Sequence, residues 1–200
     1  MHHKKPILPP HEIPTLVDEA GNFKSKDDKG WINPDEIAKE WEQQILRTAE
    51  AIGAKPTHID THHGRHRIPE LTPIYLKLAA KYGIPVRGGE YIGQVDGSSQ
   101  GVRSSSFCTS KWTGQNQGIE SLKETIQENS GLAKDGVLEV VTHPGFCDDE
   151  LIASSSWNIV RENDHNVLMD LAKDGWLKQM GFNLVRYPDM AIPASHAPHV

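Results

Sequence analysis

Six residues past the middle of the chain, Val137-Leu-Glu-Val-Val-Thr142, constrain the fold more than any other stretch. Aliphatic and β-branched residues at successive positions suit a strand buried on both faces, and such strands belong to parallel sheets covered by helices. Helical patterns stand on either side of it. Asn33 is a good N-cap, Pro34 takes the first helical position and Glu36 supplies a capping-box acid. Ile37, Trp41, Ile45, Thr48 and Ile52 then recur at near-helical spacing until Gly53 closes the run. A short strand is expected over 56–62, a second helix over Glu70 to Tyr82 and a second short strand over 84–87. Residues 88–118, rich in Gly, Ser and Gln, read as a surface excursion or lid. A helix over about 118–131 leads into the central strand. A further helix capped by Asn163 or Asp164 carries Val167, Leu168, Leu171 and Trp176, and Asn183 to Tyr187 reads as a last strand. Helices alternating with strands define an α/β class with a largely parallel sheet or a barrel. No repeat or composition shift divides the chain, so residues 1–190 form one domain and 191–200 a loose tail.

Charge narrows the partners. The 21 basic and 27 acidic side chains leave a net charge of -6, against the clustered Lys and Arg that nucleic acid requires. No apolar run approaches the roughly 20 residues of a membrane span. The N-terminus, MHHKKPILPP, has no apolar core of a secretory signal. Cys108 and Cys147 make no disulfide framework, and a reducing cytoplasm is the expected compartment.

Two short motifs carry the candidate chemistry. Four of the eleven histidines fall in Thr57-His-Ile-Asp-Thr-His-His-Gly-Arg-His66. Read as the end of a strand that Gly64 breaks, it puts His58, Asp60 and His62 on one face, and Ile59, Thr61 and His63 on the other. Ligands and catalytic groups of α/β folds collect beyond the carboxyl ends of strands. Imidazole is a preferred zinc ligand, and a neighbouring carboxylate can orient it. Taken singly, each of these histidines is as well explained as a loop residue. The second motif is Val140-Val-Thr-His-Pro-Gly-Phe146, where a turn pins His143 at a strand end, a placement that suits acid–base work. A capped structural histidine is the plainer alternative. Arg87 ends a strand and is expected in the same crevice or in a salt bridge. Asp148 and Asp149 follow His143, as a cation or substrate contact or as solvated surface. Trp112 in the 88–118 excursion is read as a stacking platform for a sugar ring, against the commoner fate of a core tryptophan. No Gly-x-Gly-x-x-Gly after a strand, phosphate loop or Gly-x-Ser-x-Gly elbow is present, so nucleotide binding and serine hydrolase chemistry find no support.

At these residues the chain resembles the YdjC-like carbohydrate deacetylases. Lys55-Pro-Thr-His-Ile-Asp-Thr-His-His-Gly-Arg-His66 is similar to the family's first histidine motif, and His143-Pro-Gly145 to its later one, with the acidic position at Asp148 or Asp149. Residues 5–23 and 151–161 resemble further family segments, and the likeness covers about residues 4–190. It implies a distorted, incomplete (β/α) barrel, one divalent metal ion, Mg2+ or Zn2+, and hydrolysis of acetyl groups from N-acetylated oligosaccharides. Under the resemblance His62 matches a metal-binding histidine and His143 a catalytic one, while Asp60 and His63 match residues near the metal. Gly64-Arg65 departs from the family, which has a third histidine there. The family's earlier Asp-Asp and Gly-x-His-x-x-Leu-Thr motifs, a source of metal ligands and of the general base, find no counterpart. The expectation is a weak or inactive catalyst with low metal occupancy and a tendency to self-associate, in which Asp60 is the candidate replacement carboxylate. A non-catalytic sugar-binding module on the same fold is the competing reading. Family members often form dimers, with Trp31, Trp41 and Trp157 as candidates here for a homodimer interface.

Overall fold

The computed structural model describes residues 5–24, 33–88, 101–112, 118–133 and 136–190. Its helices are α1 (Pro34–Ile52), α2 (Thr72–Tyr82), α3 (Ile119–Ala133), α4 (Asp149–Ser154), α5 (Ile159–Asp174) and α6 (Trp176–Gln179), and its strands β1 (Phe107–Thr109) and β2 (Leu138–Val140). The expected α/β class is what forms, with a short parallel sheet. β1 pairs β2 in parallel, Phe107 opposite Leu138, Cys108 opposite Glu139 and Thr109 opposite Val140. Single parallel bridges, Ile59 to Val86 and Val86 to Ser104, extend the same arc. The expected strands at 56–62 and 84–87 are therefore each one bridge long. The sheet runs in chain order, with α2 between its first two members and α3 between its last two.

The helices form as their caps dictate. Asn33 Oδ1 accepts the backbone N–H groups of Asp35 and Glu36, a cap worth about 1 kcal/mol. Glu36 does not close a capping box on the Asn33 backbone. Its carboxylate instead accepts the Thr15 N–H and hydroxyl and the Asn33 side-chain amide. One turn later the buried Glu40 accepts the N–H groups of Ile7 and Leu8, so two α1 carboxylates hold the N-terminal segment in place. Ile13, Leu16 and Val17 then pack on Ile37 and Leu71.

Period-2 alternation sorts the strands into an outer and an inner face. Val86 packs outward with Tyr75, Leu76, Ala79 and Val102. Leu138 and Val140 join Trp112, Leu122, Ile126, Val167 and Leu171 beneath α3 and α5. Their neighbours Arg87 and Glu139 turn to the inner face. The central strand is thus not apolar on both sides.

Three expectations are corrected. Residues 101–112 are no surface excursion: Val102, Ser104, Ser105, Phe107, Cys108, Thr109 and Trp112 are buried, and they supply β1. The rest of that stretch, 89–100 and 113–117, lies outside the described residues. α5 starts at Ile159, whose N–H bonds to the Asn158 side chain, so Asn163 and Asp164 lie within the helix rather than at its cap. Asn183 to Tyr187 forms no strand. Leu184 and Val185 point to solvent, and Tyr187 begins a short 3-10 turn. No helix among the described residues is long and apolar enough to cross a membrane.

Candidate functional site

The inner face of the sheet carries a chain of charges. Asp60 follows the Ile59 bridge and Arg87 follows Val86, and alternation aims both inward with His58. Arg87 Nη1 lies 2.7 Å from Asp60 Oδ2, and Arg87 Nε lies 2.6 Å from Glu139 Oε1. Tyr187 donates its hydroxyl to Glu139 Oε1 at 2.6 Å and Ser105 donates to Glu139 Oε2 at 3.0 Å. His58 stacks on Tyr187, with ring centroids 4.1 Å apart and planes 3° from parallel. Burial works against the Arg87 charge, but Glu139 and Asp60 more than offset it, and its pKa is raised. Burial and then Glu139 push the Cys108 thiol up to about 12, so Cys108 is no nucleophile at neutral pH.

Beyond Asp60 the chain leaves the strand in a 3-10 turn, His62 to Arg67. His63 and Gly64 both take left-handed conformations there, with φ of 56° and 62°. A Cβ on Gly64 would also stand 2.8 Å from Arg67 Nε. The kink ends the alternation at His63, while Thr61 is still extended. The His62 and His63 rings meet edge to face at 4.1 Å. His66 returns into the core, 0% exposed, stacked on Tyr75 at 4.6 Å. Its backbone N–H donates to Thr61 Oγ1 at 2.9 Å, and its Nδ1 meets the same hydroxyl at 2.5 Å. Burial lowers its pKa to about 4, against the pull of Asp60.

The second motif follows β2. The sheet is parallel throughout, so both histidine motifs leave it at the same edge. His143 is half-buried, its N–H donating to Asp164 Oδ2 at 2.8 Å. The Trp157 ring stands 4.8 Å from its imidazole. Burial and then Arg161 lower the His143 pKa, Asp164 opposes them and Arg87 adds to the lowering. Arg87 also lowers the pKa of His58 and His66, where burial is the leading cause. Its charge therefore reaches both motifs.

The structure joins Asp60 to Arg87 directly and leaves His62 and His63 exposed in the adjoining turn. It does not bring Trp112 to the site. That ring is 0% exposed among Leu122, Ile126, Val167 and Leu171, with Nε1 donating to Ser121 Oγ, so it offers no face to a sugar. Asp148 caps α4 through the Leu151 N–H, and Asp149 stands exposed in its first turn. Sequence reasoning overlooked Glu139, Ser105, Tyr187 and Asp164. Glu139 had a readable signal, a lone charge in an apolar strand. The others had none, since their partners are distant in sequence.

A divalent ion needs several donors at one point. Among the described residues no three His, Cys, Asp or Glu side chains stand close enough to hold one. These residues alone therefore do not fit the Mg2+ or Zn2+ site that the resemblance implies around His62.

The family model described as YdjC-like protein matches residues 1–179. A carbohydrate deacetylase of Thermoanaerobacter pseudethanolicus is 31% identical over 172 residues, 83% of this chain and 65% of that protein. A carbohydrate deacetylase of Brevibacillus brevis is 28% identical over 181 residues, 90% of this chain and 71% of that one. The chain thus spans about two thirds of the length of these relatives. A crystal structure from Enterococcus faecalis V583, provisionally described as a cellobiose-phosphate cleavage protein, superimposes with a TM-score of 0.78 at 27% identity. That match covers 92% of this chain and 71% of the other.

Proposed function

The chain belongs to the YdjC-like family, and from that premise we propose that it hydrolyses the acetamide of an N-acetylated sugar to acetate and the free amine. The observation that carries this reading is the placement of His143. It follows β2 at the edge where the Asp60 motif also leaves the sheet, half-buried, with its pKa lowered. A neutral imidazole at pH 7 is set to accept a proton first and return it later. His143 takes the proton of the attacking water as the water oxygen bonds to the acetyl carbon. It then gives that proton to the nitrogen as the carbon–nitrogen bond breaks. Asp60 is less suited to that first transfer, because Oδ2 is held by Arg87 and Oδ1 accepts the Thr61 N–H at 2.7 Å. In this reading Asp60 and Glu139, braced by Arg87, accept sugar hydroxyls, and His63 and Asp149 flank the entrance. His62 is the proposed metal donor, although the described residues do not by themselves complete its site.

The relatives' names support a carbohydrate substrate. N-acetylated chitooligosaccharide is the proposed one. Acetate released from it by the purified chain, and lost in His143→Gln, supports the reading. Calorimetric binding without turnover would favour a sugar-binding module instead, and neither binding nor release would sink both.

A further inference from the structure

His143 and Asp164 each bury a polar atom that meets no partner among the described residues, the imidazole Nδ1 of one and the carboxylate Oδ1 of the other. The two residues are already joined, because Asp164 Oδ2 accepts the backbone N–H of His143. Asp164 sits in α5, is 1% exposed, and reaches across 21 residues of sequence to do so. A histidine can carry Nδ1 on the same side as its own backbone amide. One carboxylate can then serve both N–H groups, with one oxygen for each. Buried polar atoms are satisfied as a rule, and these two orphans answer each other, one a donor and one an acceptor.

We propose that Asp164 is the positioning residue of His143: Oδ1 accepts Nδ1–H, which fixes the tautomer and presents the Nε2 lone pair to the reacting water. Closing the pair takes a rotation of the imidazole or of the carboxylate. Its functional consequence rests on the deacetylase reading above, while the pairing itself does not. When Nε2 takes the proton from water, the imidazolium lies against the Asp164 carboxylate, which stabilises it until the proton passes to the leaving nitrogen. The charged groups acting on the ring are Arg161 and Asp164 from α5 and Arg87 from the inner face. The two arginines oppose the imidazolium, and Asp164 is the group that favours it.

The test reads the ring directly. Long-range proton–nitrogen correlation on the full chain, with His143 assigned by its loss in His143→Gln, should show the Nδ1–H tautomer in the unsubstituted protein. Asp164→Asn keeps an acceptor for the backbone N–H but offers its amide to Nδ1. It should shift the ring toward Nε2–H, lower its pKa and move the acid limb of the acetate-release profile to lower pH. The kcat should fall about 100-fold or more with KM changed less than about threefold. Circular dichroism checks that the variant folds, and the unsubstituted protein's tautomer decides the matter if it does not. An Nε2–H tautomer in the unsubstituted protein, or a tautomer and ring pKa untouched by Asp164→Asn, would overturn the proposal. If the chain releases no acetate, the deacetylase reading fails alone and the ring measurements still judge the pairing.

Discussion

His66 and His143 are set in opposite ways, one sealed in the core and the other left partly open where the second motif leaves the sheet. A hydroxyl holds His66. Thr61 Oγ1 accepts its backbone N–H and meets Nδ1, and Asp60 Oδ1 lies 3.5 Å from the same nitrogen. Tyr75 covers its face, and no solvent reaches it. A carboxylate holds His143 through the backbone, and its ring remains partly open beside Trp157. Burial lowers both pKa values. For His66 the result is a ring locked neutral. For His143 it is a ring left open to the proposed proton transfer.

The largest effect expected is on turnover. His143→Gln should lower acetate release by about 100- to 10,000-fold, the range that positioned proton transfer contributes, with little change in the urea midpoint. A similar loss of activity with an equally large loss of stability would erase the contrast.

Stability against pH tests the other half. The His66 pKa of about 4 lies below its unfolded value near 6.5, so the unfolded chain binds the extra proton between these limits. The His66 contribution is complete above about pH 6.5, fades as pH falls toward 4 and is then gone. It amounts to roughly 3 kcal/mol at most. Urea titrations at pH 7, 5.5 and 4.5 should show this slope, and His66→Leu, which cannot take a proton, should flatten it. An identical slope in the variant would assign the effect elsewhere.

The smallest change expected is at the hydroxyl. Thr61→Val removes the hydroxyl that meets both the His66 N–H and Nδ1, which costs about 1–3 kcal/mol. The His66 ring signals should shift while the His143 signals stay in place. If the His143 signals moved as well, the two sites would be coupled rather than independent.

The sequence by itself determined what depends on neighbours a few residues away. The Asn33 cap, the Gly53 and Gly83 helix ends, the apolar face of α1 and the parallel character of β2 all follow from local spacing and capping. The inward aim of His58 and Asp60 follows from alternation. Local spacing could not show that the pattern breaks at His63, in a left-handed kink that runs on through Gly64. Nor could it show that a Ser-rich stretch supplies β1, or that Trp112 belongs to the core. Those outcomes depend on which strand lies beside which, and on cavities that only packing creates. The polar network is the clearest case. Arg87 and Glu139 lie 52 residues apart, and Asp164 is 21 from His143. Each is an ordinary charged residue in the sequence. Burial on a shared face obliged the first two to pair and placed Asp164 against His143, because a charge withdrawn from water must find its partner within the fold.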